Sequence, residues 1–491
     1  MSDLDGMIKR IRKIMRKDNG VDGDAQRINQ LVWMLFLKVY DELKESNEYE
    51  LEIEGYKSII PEEYRWRNWA VEKKDEQGRV TADSLTGDDL VEFINNKLFP
   101  ALKNLPVDES TPPRSAIVQY VFSRLHNYMI NGTLIRQVIN ELNVINFDEY
   151  DDRHLFNDIY ETILQELQSA GSSGEFYTPR PVTDFMAEML NPKAGEKIAD
   201  FACGTGGFLV SAIRHILNTN NTQEALEGMQ GNIIGCECKP LPYLLCVTNM
   251  LLNGTDGSNI RYASSLSKNV YEYSSDDACD VILMNPPFGG EIAPGEDTNF
   301  PEAYRTSETA NLFVCLVLYR LKHKGRVGIV LPDGFLFNTD DAYKNLKIKL
   351  MKECNLHTIV RLPSGLFYAN ITTNILFFDK GKQTEGIWYY DVPLPEGYRS
   401  FSKTKPFKDE HLAGARAWWN DRENGDENAF FVPMDKVIAN NYDINFKNPN
   451  RKEEKQTYTL GELIGKIEAA SNNIHNAVKE LKELTKDIID L

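Results

Sequence analysis

A chain of 491 residues, 42% of them hydrophobic, is too long for one small core and fits two or three packed units, as expected of a large enzyme. Its formal charge of -18 excludes a protein that grips nucleic acid by net electrostatics, since phosphate binding draws on Lys and Arg; a DNA substrate would need basic surface from elsewhere. The charged start, Met1 to Lys17, has no signal-peptide core and no later run reaches membrane-span length, so a cytoplasmic protein without membrane contact is expected.

In chain order, Lys9, Arg10, Arg12, Lys13, Arg16 and Lys17 interleave with Ile8, Ile11 and Met15 on a predicted helix, and a solvated face is the simplest reading of that basic run. Helical patterning continues to about Ser169. Within it the unbroken apolar run Leu31 to Leu37 is too short for a bilayer and suits a buried core helix. Residues 1–169 are therefore expected to form an all-helical domain. At its end, Gly174-Glu175-Phe176-Tyr177-Thr178-Pro179-Arg180-Pro181 uses prolines to set an extended approach to the next helix; a plain domain linker would look the same.

Between Ile198 and Phe378 the pattern changes to short β-rich runs separated by helical stretches. The runs are Ile198 to Phe201, Asn232 to Cys236, Ile260 to Ala263, Val281 to Met284, Val327 to Leu331, Thr358 to Leu362 and Asn374 to Phe378. Strands alternating with helices imply an α/β fold with a doubly wound, mostly parallel, seven-stranded sheet. Residues 380–455, rich in Pro, Gly, Asn and charge and carrying Trp418 and Trp419, are expected to be loops packed against this domain, which spans 170–455. In the remaining segment, 456–491, Leu460, Ile467, Ile474, Leu481 and Ile488 recur at heptad spacing, with Leu463, Ala470, Ala477, Leu484 and Leu491 as a second seam. This predicts a coiled-coil-like helix that associates with a partner, although a helix folded back on its own protein carries similar stripes.

Cys203, Cys236, Cys238, Cys246, Cys279, Cys315 and Cys354 form no CxxC pair, and Cys236-Glu237-Cys238 has no second His/Cys cluster to complete a tetrahedral site. No metal is expected, and the thiols read as buried and reduced. After the first strand, Asp200-Phe201-Ala202-Cys203-Gly204-Thr205-Gly206-Gly207-Phe208 is a glycine-rich turn opening a helix, where backbone can approach a ligand and free N–H groups favour an anion. It lacks the GxGxxG spacing of dinucleotide enzymes, and no GxxxxGK[ST] run for a triphosphate is present. The second strand ends in Glu237, where a doubly wound fold places a carboxylate beside a nucleoside ribose.

The fourth strand runs into Asn285-Pro286-Pro287-Phe288-Gly289-Gly290. A conjugated amino nitrogen such as adenine N6 is a poor nucleophile until its hydrogens are pulled by acceptors, and the Asn285 side-chain oxygen and the Pro286 carbonyl can supply two. The prolines hold those acceptors, and Phe288 offers a face for an extruded base.

The order of FYTP segment, glycine turn, acidic strand end and NPPF resembles the amino-DNA methyltransferases, and more narrowly the modification subunit of type I restriction-modification systems, over nearly the whole chain. Supporting segments are Tyr64-Arg65-Trp66-Arg67-Asn68-Trp69-Ala70, Leu331-Pro332-Asp333-Gly334-Phe335-Leu336-Phe337, Arg361-Leu362-Pro363-Ser364-Gly365-Leu366-Phe367 and Thr373-Asn374-Ile375-Leu376-Phe377-Phe378. The resemblance implies an S-adenosylmethionine-dependent adenine-N6 DNA methyltransferase. In it Glu175 to Arg180, Asp200, Ala202 and Gly204 to Phe208 would surround the methionine part of the cofactor, Glu237 the ribose, Ser265 and Leu266 the adenine, and Asn285 to Phe288 the target base. It also implies double-stranded DNA, a DNA specificity subunit, a second copy of the chain and a restriction subunit as partners. Two departures stand out. Phe201 replaces a customary Pro, which should alter packing more than binding, and Ala263-Ser264-Ser265-Leu266 lacks the Asp often found near the cofactor adenine. Competing readings are a methyltransferase acting on RNA or protein glutamine, a catalytically dead assembly scaffold, and a self-sufficient DNA methyltransferase.

Overall fold

In the computed structural model the apolar run Leu31–Leu37 lies inside one long helix, Gly23–Leu51, and every residue of the run is buried. A run longer than one turn is apolar on all sides, so it needs neighbours all round. Trp33 meets Phe99 edge-on at 5.1 Å and Phe122 at 6.5 Å, and helix Pro240–Leu252, which belongs to the sheet region, packs against the same long helix. One apolar cluster therefore runs from Met7 through the helical region into the sheet, and residues up to Asn448 form a single compact unit. The described residues are 2–51, 59–145, 178–450 and isolated positions between 461 and 474, less short breaks around 76–83, 109–112, 221, 256–258, 290–291, 368–370, 403–404 and 423–425. The expected boundary at 169/170 lies outside them.

The basic run is the outer face of helix Ser2–Met15: Ile8, Ile11 and Met15 are buried, Lys9, Arg10 and Lys13 are exposed, and Arg10 pairs with Glu141 at 3.0 Å. The YRWRNWA segment closes the helical region. Trp66 and Trp69 are buried 5.2 Å apart, and Trp66 Nε1 donates to Asn143 Oδ1 at 2.8 Å. The carbonyls left over are capped by buried Arg136, whose guanidinium donates to Ala70 O (2.6 Å), Leu85 O (2.8 Å) and Trp69 O (3.2 Å).

The sheet has nine strands, two more than expected. They are β1 Ile198–Asp200, β2 Ile233–Glu237, β3 Ile260–Tyr262, β4 Cys279–Met284, β5 Leu321–Pro332, β6 Cys354–Arg361, β7 Thr373–Lys380, β8 Gly386–Asp391 and β9 Ala429–Pro433, in the order β3-β2-β1-β4-β5-β7-β6-β8-β9. The sheet is mixed: β7 runs antiparallel to β5 and β6, and β9 antiparallel to β8, while the other pairs are parallel. Alternate residues face two apolar layers. Val281 and Leu283 face one, with helices Arg180–Leu190 and Gly207–Thr219; Ile282 and Met284 face the other, with helices Thr309–Arg320 and Asp341–Glu353.

Within residues 380–455, β8 and β9 are a structural part of the sheet, which corrects the reading of this stretch as loops. These strands are short and aromatic, and the surrounding Pro, Gly and Asn hid them in the composition. Tyr389 of β8 stacks on Phe430 of β9 at 4.8 Å, and Trp419 lies 4.8 Å from Phe377 of β7. The cysteine expectation needs one correction: Cys238 is exposed and Cys236 half-buried, whereas the other five are buried.

Pro449–Leu491 forms a second unit. Its described positions from 461 to 474 are helical, and Ile464, Ile467 and Ile474 are exposed; the heptad positions other than Ile467 and Ile474 lie outside the described residues. Among the described residues no helix is long and apolar enough to cross a membrane.

Arg136→Met should leave the Leu85 and Trp69 carbonyls without this donor, while Ala70 O keeps Asn143 Nδ2 at 3.0 Å, and at about 1–3 kcal/mol per unpaired buried group the loss should reach about 2 kcal/mol or more. Urea unfolding followed by tryptophan fluorescence checks this, and an unchanged midpoint would refute the role given to Arg136.

Candidate active site

Strand order reverses at β1, which has β2 on one side and β4 on the other, and in doubly wound sheets the crevice beyond such a reversal receives the ligand. The glycine turn leaves β1 at this edge. Gly204 and Gly206 take φ of 53° and 83°, in the left-handed region that favours glycine. A Cβ on Gly206 would lie 2.9 Å from Cys246 Sγ, so this glycine also lets the turn pack against helix Pro240–Leu252; a Cβ on Gly204 would meet nothing within 4 Å. The turn is fixed from three directions. Gly204 N donates to Glu237 Oε2 (2.9 Å), Asn249 Nδ2 to Thr205 O (2.9 Å), and Arg180 Nη1 to Gly207 O (2.9 Å).

Glu237 Oε1 also accepts from Lys239 N at 2.7 Å, so the strand-end carboxylate pins both its own turn and its neighbour. Asp200 Oδ1 accepts from Ala202 N at 3.0 Å, while its Oδ2 is buried without a hydrogen-bond partner among the described residues. Burial pushes the Asp200 carboxyl well above the usual carboxylate range; the Ala202 N–H opposes this and the nearby Glu237 charge adds to it. Phe201 is buried with the Arg320 guanidinium 4.5 Å above its ring, and Arg320 also lies 4.4 Å from the Tyr273 ring. The departure at Phe201 is therefore a matter of packing. Ser265 Oγ donates to Phe201 O at 2.6 Å, and Leu266 is buried, its carbonyl accepting from Asn299 Nδ2 at 2.9 Å.

Beside this turn β4 delivers Asn285. Its Nδ2 donates to Thr178 Oγ1 at 2.9 Å, which fixes the amide plane and leaves Oδ1 buried with no protein partner among the described residues. Thr178, expected beside the cofactor, is the residue that orients the Asn285 amide. Thr309 Oγ1 donates to Pro287 O at 2.6 Å from the start of helix Thr309–Arg320. Pro286 is buried, and half-buried Phe288 stands edge-on to Phe367 at 6.5 Å. That places RLPSGLF, which ends in Phe367, against the NPPF loop.

LPDGFLF leaves the neighbouring strand β5. Asp333 Oδ1 accepts from Asn374 Nδ2 of β7 at 2.7 Å. The segment's far end is held by fully buried Lys347, donating to Leu336 O (3.0 Å) and Asn338 O (2.7 Å); burial lowers this ammonium to about 8.

The sheet thus brings Thr178, Asp200, the glycine turn, Glu237, Ser265 and Asn285–Phe288 to one edge. Glu175, Phe176 and Tyr177 lie outside the described residues, and Pro179 and Arg180 begin helix Arg180–Leu190, with Pro179 as N-cap. Sequence reasoning missed Thr309 and Asn249. Both are ordinary helix residues whose role exists only because a distant turn ends beside them.

A sheet of this order, with a glycine turn after β1 and an NPPF loop after β4, defines a nucleoside-dependent methyltransferase of the amino-group class. Residues 151–457 match the N-6 DNA methylase family and residues 4–142 the HsdM N-terminal domain. Over 493 aligned residues the chain is 46% identical to the EcoEI methylase subunit of a type I restriction enzyme from Escherichia coli, covering 98% of this chain and 97% of the relative. A crystal structure of a modification subunit assigned to a type I restriction enzyme of Vibrio vulnificus YJ016 superposes with a TM-score of 0.80 at 39% identity, covering 92% of this chain and 97% of the other. A chain from a study of complex assembly in a type I restriction-modification system gives 0.80 at 33% identity, covering 99% and 98%. The chain belongs to the N-6 DNA methylase family, as a methylase subunit of the type I restriction-modification kind, and is an adenine-specific DNA methyltransferase.

Thr309→Val keeps the shape of the side chain but removes the donor to Pro287 O. A neutral hydrogen bond contributes about 1 kcal/mol, so turnover should fall by roughly five- to tenfold with little change in nucleoside affinity. Transfer of labelled methyl groups to DNA, measured beside calorimetric binding, checks this; equal turnover in the two proteins would remove Thr309 from the site.

Proposed function

We propose that this subunit transfers the sulfonium methyl group of S-adenosylmethionine to N6 of an adenine turned out of double-stranded DNA. The observation that carries the reading is the buried Oδ1 of Asn285, an acceptor held in a fixed plane by Thr178 with no donor among the described residues. Such a group is costly unless a ligand supplies the donor, and an adenine amino group does so. The Pro286 carbonyl accepts the second amino hydrogen. With both hydrogens drawn aside, the nitrogen lone pair turns from the ring toward the incoming methyl group. Thr309, by holding the Pro287 carbonyl, keeps the loop in register, and Phe288 provides the face against which the extruded ring rests.

The residues present fit the methyl donor. The Gly204–Phe208 turn offers open backbone at Gly204, and Asp200 Oδ2 is buried without a partner among the described residues. Glu237 accepts backbone N–H groups at both oxygens, and a carboxylate with its several lone-pair sites can also accept from a ribose hydroxyl. Glu175–Arg180 would close over the methionine part, and Ser265 and Leu266 would face the adenine. When bound, this group supplies an electrophilic methyl on an excellent leaving group, so no metal or covalent nucleophile is called for.

With a charge of -18 the chain is ill suited to hold duplex by itself. The reading therefore includes a specificity subunit that supplies basic surface and reads the sequence, together with a second copy of this chain and a restriction subunit in the full assembly. The heptad helix, with Ile467 and Ile474 exposed one heptad apart, is the docking element assigned to the specificity subunit. A self-sufficient enzyme or an RNA- or protein-directed one has no observation in its favour.

Asn285→Ala should lower methylation about 100-fold or more while S-adenosylmethionine binding stays within a few-fold of the parent; methylation at the parent rate would sink the assignment. Replacing Ile467 and Ile474 together with Glu should prevent co-purification with the specificity subunit and abolish site-specific methylation, because a coiled-coil seam cannot bury unpaired charge. Cofactor binding by the isolated variant should persist. Normal assembly of that double variant would show that association uses another surface.

A further inference from the structure

Beyond the NPPF loop the chain turns back at Ala293-Pro294-Gly295-Glu296. Glu296 N donates to Ala293 O at 3.0 Å, and Gly295 has φ 88°, the conformation a Pro-Gly turn provides without strain. The turn aims Glu296 at the loop after β3: its Oε1 accepts from Ser264 Oγ at 2.6 Å and its Oε2 from Ala293 N at 3.1 Å. Asn299 Nδ2 then donates to Leu266 O, and buried Phe300 joins the apolar cluster that contains Leu266 and Phe201. Ser265, next to Ser264, holds the Phe201 carbonyl in the glycine turn, and Thr309 holds Pro287 on the far side. Segment 293–300 is therefore bonded to the loop assigned to the cofactor adenine and is continuous in the chain with the loop assigned to the target base.

Ala263-Ser264-Ser265-Leu266 carries no carboxylate of its own, and Glu296 brings one to Ser264. We propose that Glu296 is a positioning residue: through Ser264 it couples occupancy of the adenosine pocket to segment 293–300, and through that segment to Asn285–Phe288. The NPPF loop then meets its base in working register when the methyl donor is in place. This rests on the reading above that the donor's adenine lies against Ser265 and Leu266. A charge-assisted hydroxyl–carboxylate bond at 2.6 Å is among the stronger contacts such a loop can make, and it is lost when Ser264 loses its hydroxyl or residue 296 its acceptor.

The test is hydrogen–deuterium exchange on the full-length chain with and without S-adenosylhomocysteine, with binding measured by calorimetry in parallel. In the parent, ligand should slow exchange both in 263–267 and in 293–300. In Glu296→Leu and in Ser264→Ala, ligand should still bind within a few-fold and still protect 263–267, but 293–300 should no longer respond, and kcat should fall roughly tenfold with KM for the methyl donor little changed. Glu296→Gln keeps an acceptor for Ser264 and should restore part of the response. If 293–300 fails to respond in a parent that binds ligand, or responds equally in Glu296→Leu and Ser264→Ala, the coupling is refuted while the methyltransferase reading stands. A parent that binds no S-adenosylhomocysteine would overturn both.

Discussion

The site depends on the parallel pairing of β1 with two different neighbours. Ile198, Ala199 and Asp200 are all buried and pair with Ile233–Gly235 on one side and, through Ile198 and Ala199, with Val281 and Ile282 on the other. That register sets the carboxyl ends of β2, β1 and β4 side by side at one edge. Glu237, Asp200 and Asn285, far apart in the chain, become neighbours there. A one-residue slip would exchange the two faces of a strand and carry its polar end away from the crevice, so two apolar layers enforce the alignment of the polar groups.

The groups at that edge divide into those the protein satisfies and those it leaves open. Glu237 fixes two backbone turns, Thr178 orients an amide, and Thr309 and Asn249 hold carbonyls. Among the described residues, Asp200 Oδ2 and Asn285 Oδ1 are buried without partners. In an ordinary core each such atom would cost about 1–3 kcal/mol. At the mouth of a crevice, held rigid by satisfied neighbours, the same atoms are acceptors prepared in advance of a ligand's donors, and preorganisation of that kind is what lowers a barrier to transfer.

The electrostatics follow the same division. The conspicuous basic helix at the start of the chain is solvated, with Arg10 paired to Glu141, and its apolar face serves the core. The polar groups of the site are gathered at the sheet edge of a chain whose formal charge is -18.

The sequence by itself determined the local elements: the buried helix at Leu31–Leu37, the first seven strands, the glycine turn and the NPPF loop. Each is a short-range pattern of apolar spacing, glycine or proline whose meaning does not depend on distant residues. The resemblance carried by those motifs also reached the family. Tertiary structure decided what depends on pairing. β8 and β9 are strands because Tyr389 and Phe430 stack and Trp418 packs against Trp388 and Tyr390, contacts that no window of a Pro-, Gly- and Asn-rich stretch can register. Thr178 orients the Asn285 amide, Thr309 holds the Pro287 carbonyl, and Glu296 reaches Ser264 because the sheet folds separate parts of the chain onto one edge. A hydroxyl or carboxylate on a helix or turn has no assigned partner in the sequence; only the fold supplies one within hydrogen-bonding distance.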